Sequence, residues 1–187
     1  PPKARDVFDS ANTCTYPNTG SGKVQGSKAM SFQRMLETYV QLAKSKNATP
    51  ILLTPITRIV VAKDKKTGVF PIKQSTHIVL REMSSGEFVG DYSQTIRDTA
   101  TANNLALIDL DALTIDFVNS IKDPAWKQYW LAVDEQQYPF YAQGKTGNIN
   151  QPDTTHLQEK GALKVASFVV AIIKNQATLK DLAKQLK

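Results

Sequence analysis

The sequence predicts an α/β fold: a sandwich in which helices cover a parallel sheet. Two short runs, Pro50-Ile51-Leu52-Leu53-Thr54-Pro55 and Leu105-Ala106-Leu107-Ile108-Asp109-Leu110, are apolar without strict alternation, as strands buried on both faces are. Around them, apolar residues recur at helical spacing. The two kinds of segment alternate along the chain, as the crossover connections of a parallel sheet require. With 187 residues, 41% of them hydrophobic and 21% charged, the chain is long enough to bury a core and reads as one domain, 1–187.

Residues 1–26 lack periodicity, and Tyr16-Pro17-Asn18-Thr19-Gly20-Ser21-Gly22 is dense in turn formers, so this stretch reads as an irregular arm. Phe32, Met35, Leu36, Tyr39, Val40 and Ala43 then mark one face of a helix from about Ser27 to Lys46. The first strand follows. Ile59-Val60-Val61 and His77-Ile78-Val79-Leu80 form a hairpin or an irregular excursion. Asp91 reads as the N-cap of a helix running to about Asn103. After the second strand, Leu113, Phe117, Val118 and Ile121 mark another helix. Residues 123–152 hold Trp126, Tyr129, Trp130, Tyr138, Phe140 and Tyr141 among polar turn residues. Two apolar faces, Ala162 to Ile173 and Leu179 to Leu186, end the chain as helix. Only two strands are clear. Two parallel strands make a poor sheet, so either the excursion supplies more or strands are missing.

Composition excludes several classes. The net charge is +6, from 23 basic and 17 acidic residues. The lysines are scattered, however, and the densest run, Lys63-Asp64-Lys65-Lys66, leads into Thr67-Gly68 as a charged turn. No nucleic-acid partner is expected. No apolar run reaches the roughly 18 residues of a membrane-spanning helix, so no membrane partner is expected either. Pro1-Pro2-Lys3 lacks the apolar stretch of a signal peptide, although a mature or clipped chain looks the same. One cysteine, Cys14, supports neither an internal disulfide framework nor a cysteine-based zinc site. There is no metal constellation, P-loop or dinucleotide glycine motif, and no cofactor is expected.

The two histidines differ in setting. His77 sits among strand formers and reads as a surface or packed histidine. His156 closes Asp153-Thr154-Thr155-His156, at the end of a long polar loop and before the last helix. If that short turn is helical, the aspartate reaches the imidazole Nδ1, fixes the tautomer and leaves Nε2 as a general base. The same spacing also suits an aspartate that caps the helix beside an exposed histidine.

The surrounding residues carry a resemblance. Ile51-Leu52-Leu53-Thr54-Pro55-Ile56-Thr57-Arg58, then Gly90-Asp91-Tyr92 before a helix, then Leu107-Ile108-Asp109-Leu110, and finally Asp153-Thr154-Thr155-His156 with Gly161-Ala162 fall in one order. Over most of the chain this order resembles the SGNH (GDSL-type) hydrolase superfamily, in particular its rhamnogalacturonan acetylesterase-like branch. The resemblance implies a flavodoxin-like three-layer α/β/α sandwich and a serine esterase acting on an acylated polysaccharide or oligosaccharide such as pectic rhamnogalacturonan. Asp153 and His156 would be two members of its triad, and Arg58 a substrate-binding or loop-anchoring residue.

The departures are as informative. The family's nucleophilic serine lies in an N-terminal Gly-Asp-Ser block, and none exists here. Gly90-Asp91-Tyr92 has no serine and stands in mid-chain. The family's Gly-x-Asn-Asp oxyanion block also has no counterpart, since no apolar strand precedes Gly147-Asn148-Ile149-Asn150. The expectation is a C-terminal portion of such an enzyme, with its N-terminal strands and serine outside these residues, either on a second chain or on a further part of the same one. The competing readings are a non-catalytic glycan-binding pseudo-enzyme or partner subunit, and an unrelated flavodoxin-like binding domain. Trp126, Trp130 and the tyrosines read more readily as packing residues than as sugar platforms, and Asp109 as a helix cap. The sequon Asn47-Ala48-Thr49 and the family's many secreted members point to an extracellular protein.

Overall fold

The computed structural model describes residues 8–9, 30–79, 90–142 and 144–186. Among them are five α-helices and three two-stranded sheets, a mixed α/β structure. They fall into two compact units, Pro1–Pro55 with His77–Asp109, and Ile56–Thr76 with Leu110–Lys187.

In the first unit, β1 (Phe8–Asp9) pairs antiparallel with β2 (Met30–Ser31). The rest of the expected arm lies outside the described residues. Helix α1 is Phe32–Ser45, so the sequence-based start near Ser27 came too early: Met30 and Ser31 are strand. Its apolar face is also narrower than the periodicity suggests. Val40 is 1% exposed, whereas Tyr39 is 52% and Leu42 56% exposed. The apolar residues of α1 cover a wider arc than its contact with α2 (Tyr92–Ala102). The first predicted strand is β3 (Ile51–Leu53) and the second is β6 (Ala106–Ile108). They pair in parallel, with Ile51 opposite Ala106 and Leu53 opposite Ile108. Leu110, read above as the end of that strand, instead opens the next helix. The excursion contributes β4 (Ile78–Val79), antiparallel to β5 (Gly90–Asp91). Leu80 lies outside the described residues. Asp91 caps α2 as its residue type predicts, accepting the Gln94 N–H at 2.8 Å.

Asp109, at the position read as a helix cap, also has tertiary partners. Both its oxygens serve tertiary contacts: Arg97 donates to them at 2.7 and 2.9 Å, and the Thr54 hydroxyl donates to Oδ1 at 2.9 Å. His77 is half-buried and its carbonyl accepts the Tyr92 N–H.

In the second unit, α3 (Leu110–Ile121) and α4 (Glu159–Asn175) pack together, and a short α5 (Lys180–Ala183) follows a 3-10 turn. The two tryptophans of the long loop are packing residues here, whereas Tyr138 and Phe140 are exposed. Trp126 is 0% and Trp130 1% exposed, and with Ile59, Ile72 and Val118 they form the core. The segment 56–76 is held onto α3 by side chains that satisfy its backbone. Asn119 donates to and accepts from Ile72, and Asp123 Oδ1 accepts from Gly68 N and Trp126 Nε1. Lys63–Gly68 is the expected charged turn. Asp64 accepts from the Thr67 hydroxyl and from the amides of Lys66 and Thr67, which holds its pKa down at about 2.

No single helix among the described residues is long and apolar enough to cross a membrane. Deleting the Trp126 side chain should cost ~3–5 kcal/mol, as loss of a buried indole does. Trimming Val60, 45% exposed, to Ala should change stability by less than ~0.5 kcal/mol. Urea unfolding of Trp126→Ala and Val60→Ala checks the contrast, and equal losses would contradict the core assignment.

Candidate active site

The Asp153–His156 turn is built on a short antiparallel contact within the second unit. Leu131 N donates to the His156 carbonyl at 2.9 Å, and Asp153 N donates to the Leu131 carbonyl at 2.8 Å. Next to it, Trp130 and Leu157 form a bridge and Gln158 N donates to the Tyr129 carbonyl at 2.9 Å. The Gln158 side-chain amide donates to the carbonyls of Lys127 and Trp130. The turn is also fixed from another side, where Ile59 N donates to the Thr154 carbonyl at 2.9 Å.

Inside this frame the carboxylate orients the ring. His156 Nδ1 lies 2.7 Å from Asp153 Oδ2. A carboxylate only accepts, so Nδ1 carries the proton and Nε2 is the nitrogen left for proton transfer. The turn is not helical, as the spacing had suggested. Asp153 Oδ1 instead accepts from the backbone amides of Thr155 at 2.8 Å and His156 at 3.0 Å, an Asx-type turn. Helix α4 begins later, behind Gln158, so Asp153 does not cap it. The imidazole is 74% exposed while the carboxyl is 21% exposed. Partial burial pushes the Asp153 carboxyl up. The backbone N–H and ring of His156 and the Thr155 amide outweigh it and hold the group below the ordinary carboxylate range.

No family model, curated protein or solved structure matches the chain.

The other residues singled out in the sequence fall as follows. Arg58 is exposed and its backbone N–H donates to Thr76 Oγ1 at 2.8 Å. Its neighbour Ile59 bonds to Thr154, so the structure brings Arg58 beside the Asp–His turn in the same unit. Asn148 is 3% exposed and wholly engaged. Its Nδ2 donates to the carbonyls of Tyr141 and Lys145, and its Oδ1 accepts from Asn150 N and Gln151 N. Such an amide organises its own loop and is not free to bind an oxyanion, in agreement with the reading of Gly147–Asn150. No group of three or more His, Cys, Asp or Glu side chains that could hold a metal occurs among the described residues.

Sequence reasoning missed the support of the turn: the backbone of Tyr129–Leu131, the Gln158 side chain and Thr154. One signal was present. Gly161, near the start of α4, is a poor helix former, and a Cβ there would stand 2.1 Å from the Tyr129 carbonyl oxygen. Only glycine lets the helix start against the loop that clamps the turn.

A carboxyl held below its unfolded value adds stability above about pH 4 and loses it as pH falls through the folded-state pKa. Asp153→Asn should therefore unfold at lower urea than the parent near pH 6, with the gap narrowing as the pH falls below about 4. A gap independent of pH would rule out the charged form of Asp153 as the stabilising one.

Proposed function

We propose that this chain is the Asp–His half of an SGNH-type serine esterase that removes acyl groups, most simply acetyl, from a carbohydrate. The observation that carries the reading is the 2.7 Å contact between Asp153 Oδ2 and the Nδ1 of an exposed His156 on a clamped turn. A serine outside these residues attacks the ester carbonyl. His156 Nε2 takes its proton and then returns one to the leaving alkoxide. Asp153 keeps the ring in its tautomer and stabilises the imidazolium. Arg58, exposed beside the turn, serves the substrate. The chemistry needs no cofactor.

The same proposal extends the parallel β3–β6 pair into a three-layer α/β/α sandwich with strands from the serine-bearing segment. Parallel strands are ordinarily covered on both faces, yet Leu53 of β3 is 44% exposed and Tyr39 and Leu42 of α1 are more so. The sequon Asn47–Thr49 is exposed throughout, with Asn47 at φ 57° just past α1, which suits a glycosylated, extracellular protein. Secreted material should lose mass on N-glycosidase treatment, and Asn47→Gln should abolish that loss.

The second reading, a glycan-binding pseudo-enzyme, is favoured by one observation: the 187 residues hold no Gly-Asp-Ser. Intact-mass analysis and N-terminal sequencing of native material separates the two. A longer or second polypeptide bearing Gly-Asp-Ser is expected. With it, aryl acetate hydrolysis should fall roughly 10³-fold or more in His156→Ala. A single species without that motif, or full activity in His156→Ala, overturns the esterase reading.

A further inference from the structure

A second concave surface adjoins the Asp–His turn. It is an open groove of about 680 Å³, within the range of small-ligand sites. Leu131, Ala132 and Val133 contribute to it, so it lies against the stretch whose backbone clamps the turn. Neither Asp153 nor His156 is among its lining residues.

The groove sets hydrogen-bonding groups beside hydrocarbon, as an amphipathic ligand requires. Gln128 and Gln137 offer planar amides, and Tyr138 and Tyr141 offer phenol rings. Two cations, Lys127 and Lys160, are balanced by two carboxylates, Asp134 and Glu159, so the formal charges cancel. Some of these groups are already committed. Lys160 Nζ donates to Gln128 Oε1 and stands 4.8 Å from the Tyr129 ring centroid, and Asp134 Oδ1 accepts from Gln136 N at 2.8 Å. Gln137 is exposed, and Tyr138 is 52% exposed despite its ring.

This chemistry selects a class of ligand. Amides, carboxylates and phenols together donate to and accept from hydroxyl groups. A half-exposed phenol ring offers a flat apolar face for the C–H side of a pyranose. Cancelling charges give no pull on a polyanion, in spite of the chain's +6 net charge. We infer that the groove binds an uncharged stretch of glycan and seats neutral pyranose units beside the Asp153–His156 turn. Its role as a substrate subsite rests on the esterase reading, whereas the binding itself does not.

The test is calorimetric titration of the full chain with β-1,4-galactotetraose and, separately, with tetragalacturonate. Binding of the neutral tetrasaccharide is expected. It should weaken at least about tenfold in Tyr138→Ala and in Gln137→Ala, both surface changes that leave thermal unfolding in place, and should persist in His156→Ala. Three outcomes overturn the inference: no binding of the neutral glycan at millimolar concentration, binding indifferent to both groove substitutions, or binding of the galacturonate alone. Glycan binding without any esterase activity in native material would retire the esterase reading and leave the groove standing. Esterase activity without glycan binding would do the reverse.

Discussion

Leu131 grips the Asp153–His156 turn at both ends, donating its N–H to His156 and accepting from Asp153. The geometry of the pair follows from that contact. Trp130, 1% exposed in the core, fixes the clamping strand from below. Gly161 lets α4 start against the Tyr129 carbonyl, and Gln158 ties the helix entrance to Lys127 and Trp130. An exposed imidazole would ordinarily sample several rotamers. Here the carboxylate that meets Nδ1 is itself held by two backbone amides, so the ring is oriented by the turn that carries it.

Much of the interior is polar, and its bonds are partly local and partly tertiary. Thr54, Thr57, Thr95, Thr99 and Thr114 are all at most 1% exposed. Thr95 and Thr99 donate to carbonyls one turn back in α2, and Thr114 does so in α3 while its oxygen accepts from Thr57 N. A hydroxyl bonded in this way escapes the penalty of an unpaired buried polar group. Thr114 also carries tertiary information, because it pins the segment after β3 to α3.

The basic net charge has little part in the candidate chemistry. Lysines of the second unit lie against rings, as Lys145 does over Phe140 at 3.9 Å and Lys164 over Phe168 at 4.8 Å. An orienting carboxylate, an exposed base and a charge-balanced groove form a coherent set around one loop.

The sequence by itself determined what nearest neighbours control. The 3.6-residue periodicity placed α1, α3 and α4, the two apolar runs placed β3 and β6, and Asp91 marked the start of α2. Asp153 and His156 are three residues apart, close enough for one turn to let them meet, but the clamp from Leu131 sets that turn. The tertiary structure decided what depends on segments distant in sequence. It tied Asp109 to Arg97 and Thr54, turned Trp126 and Trp130 of the aromatic loop inward as core while leaving Tyr138 and Phe140 outside, and narrowed the apolar face of α1. It also set Tyr129–Leu131 against residues 153–158 and Thr154 against Ile59. Those pairings are backbone hydrogen bonds, which any residue type can make, and so they leave no mark in composition or periodicity. Gly161 is the exception, because a backbone approach that close excludes every side chain.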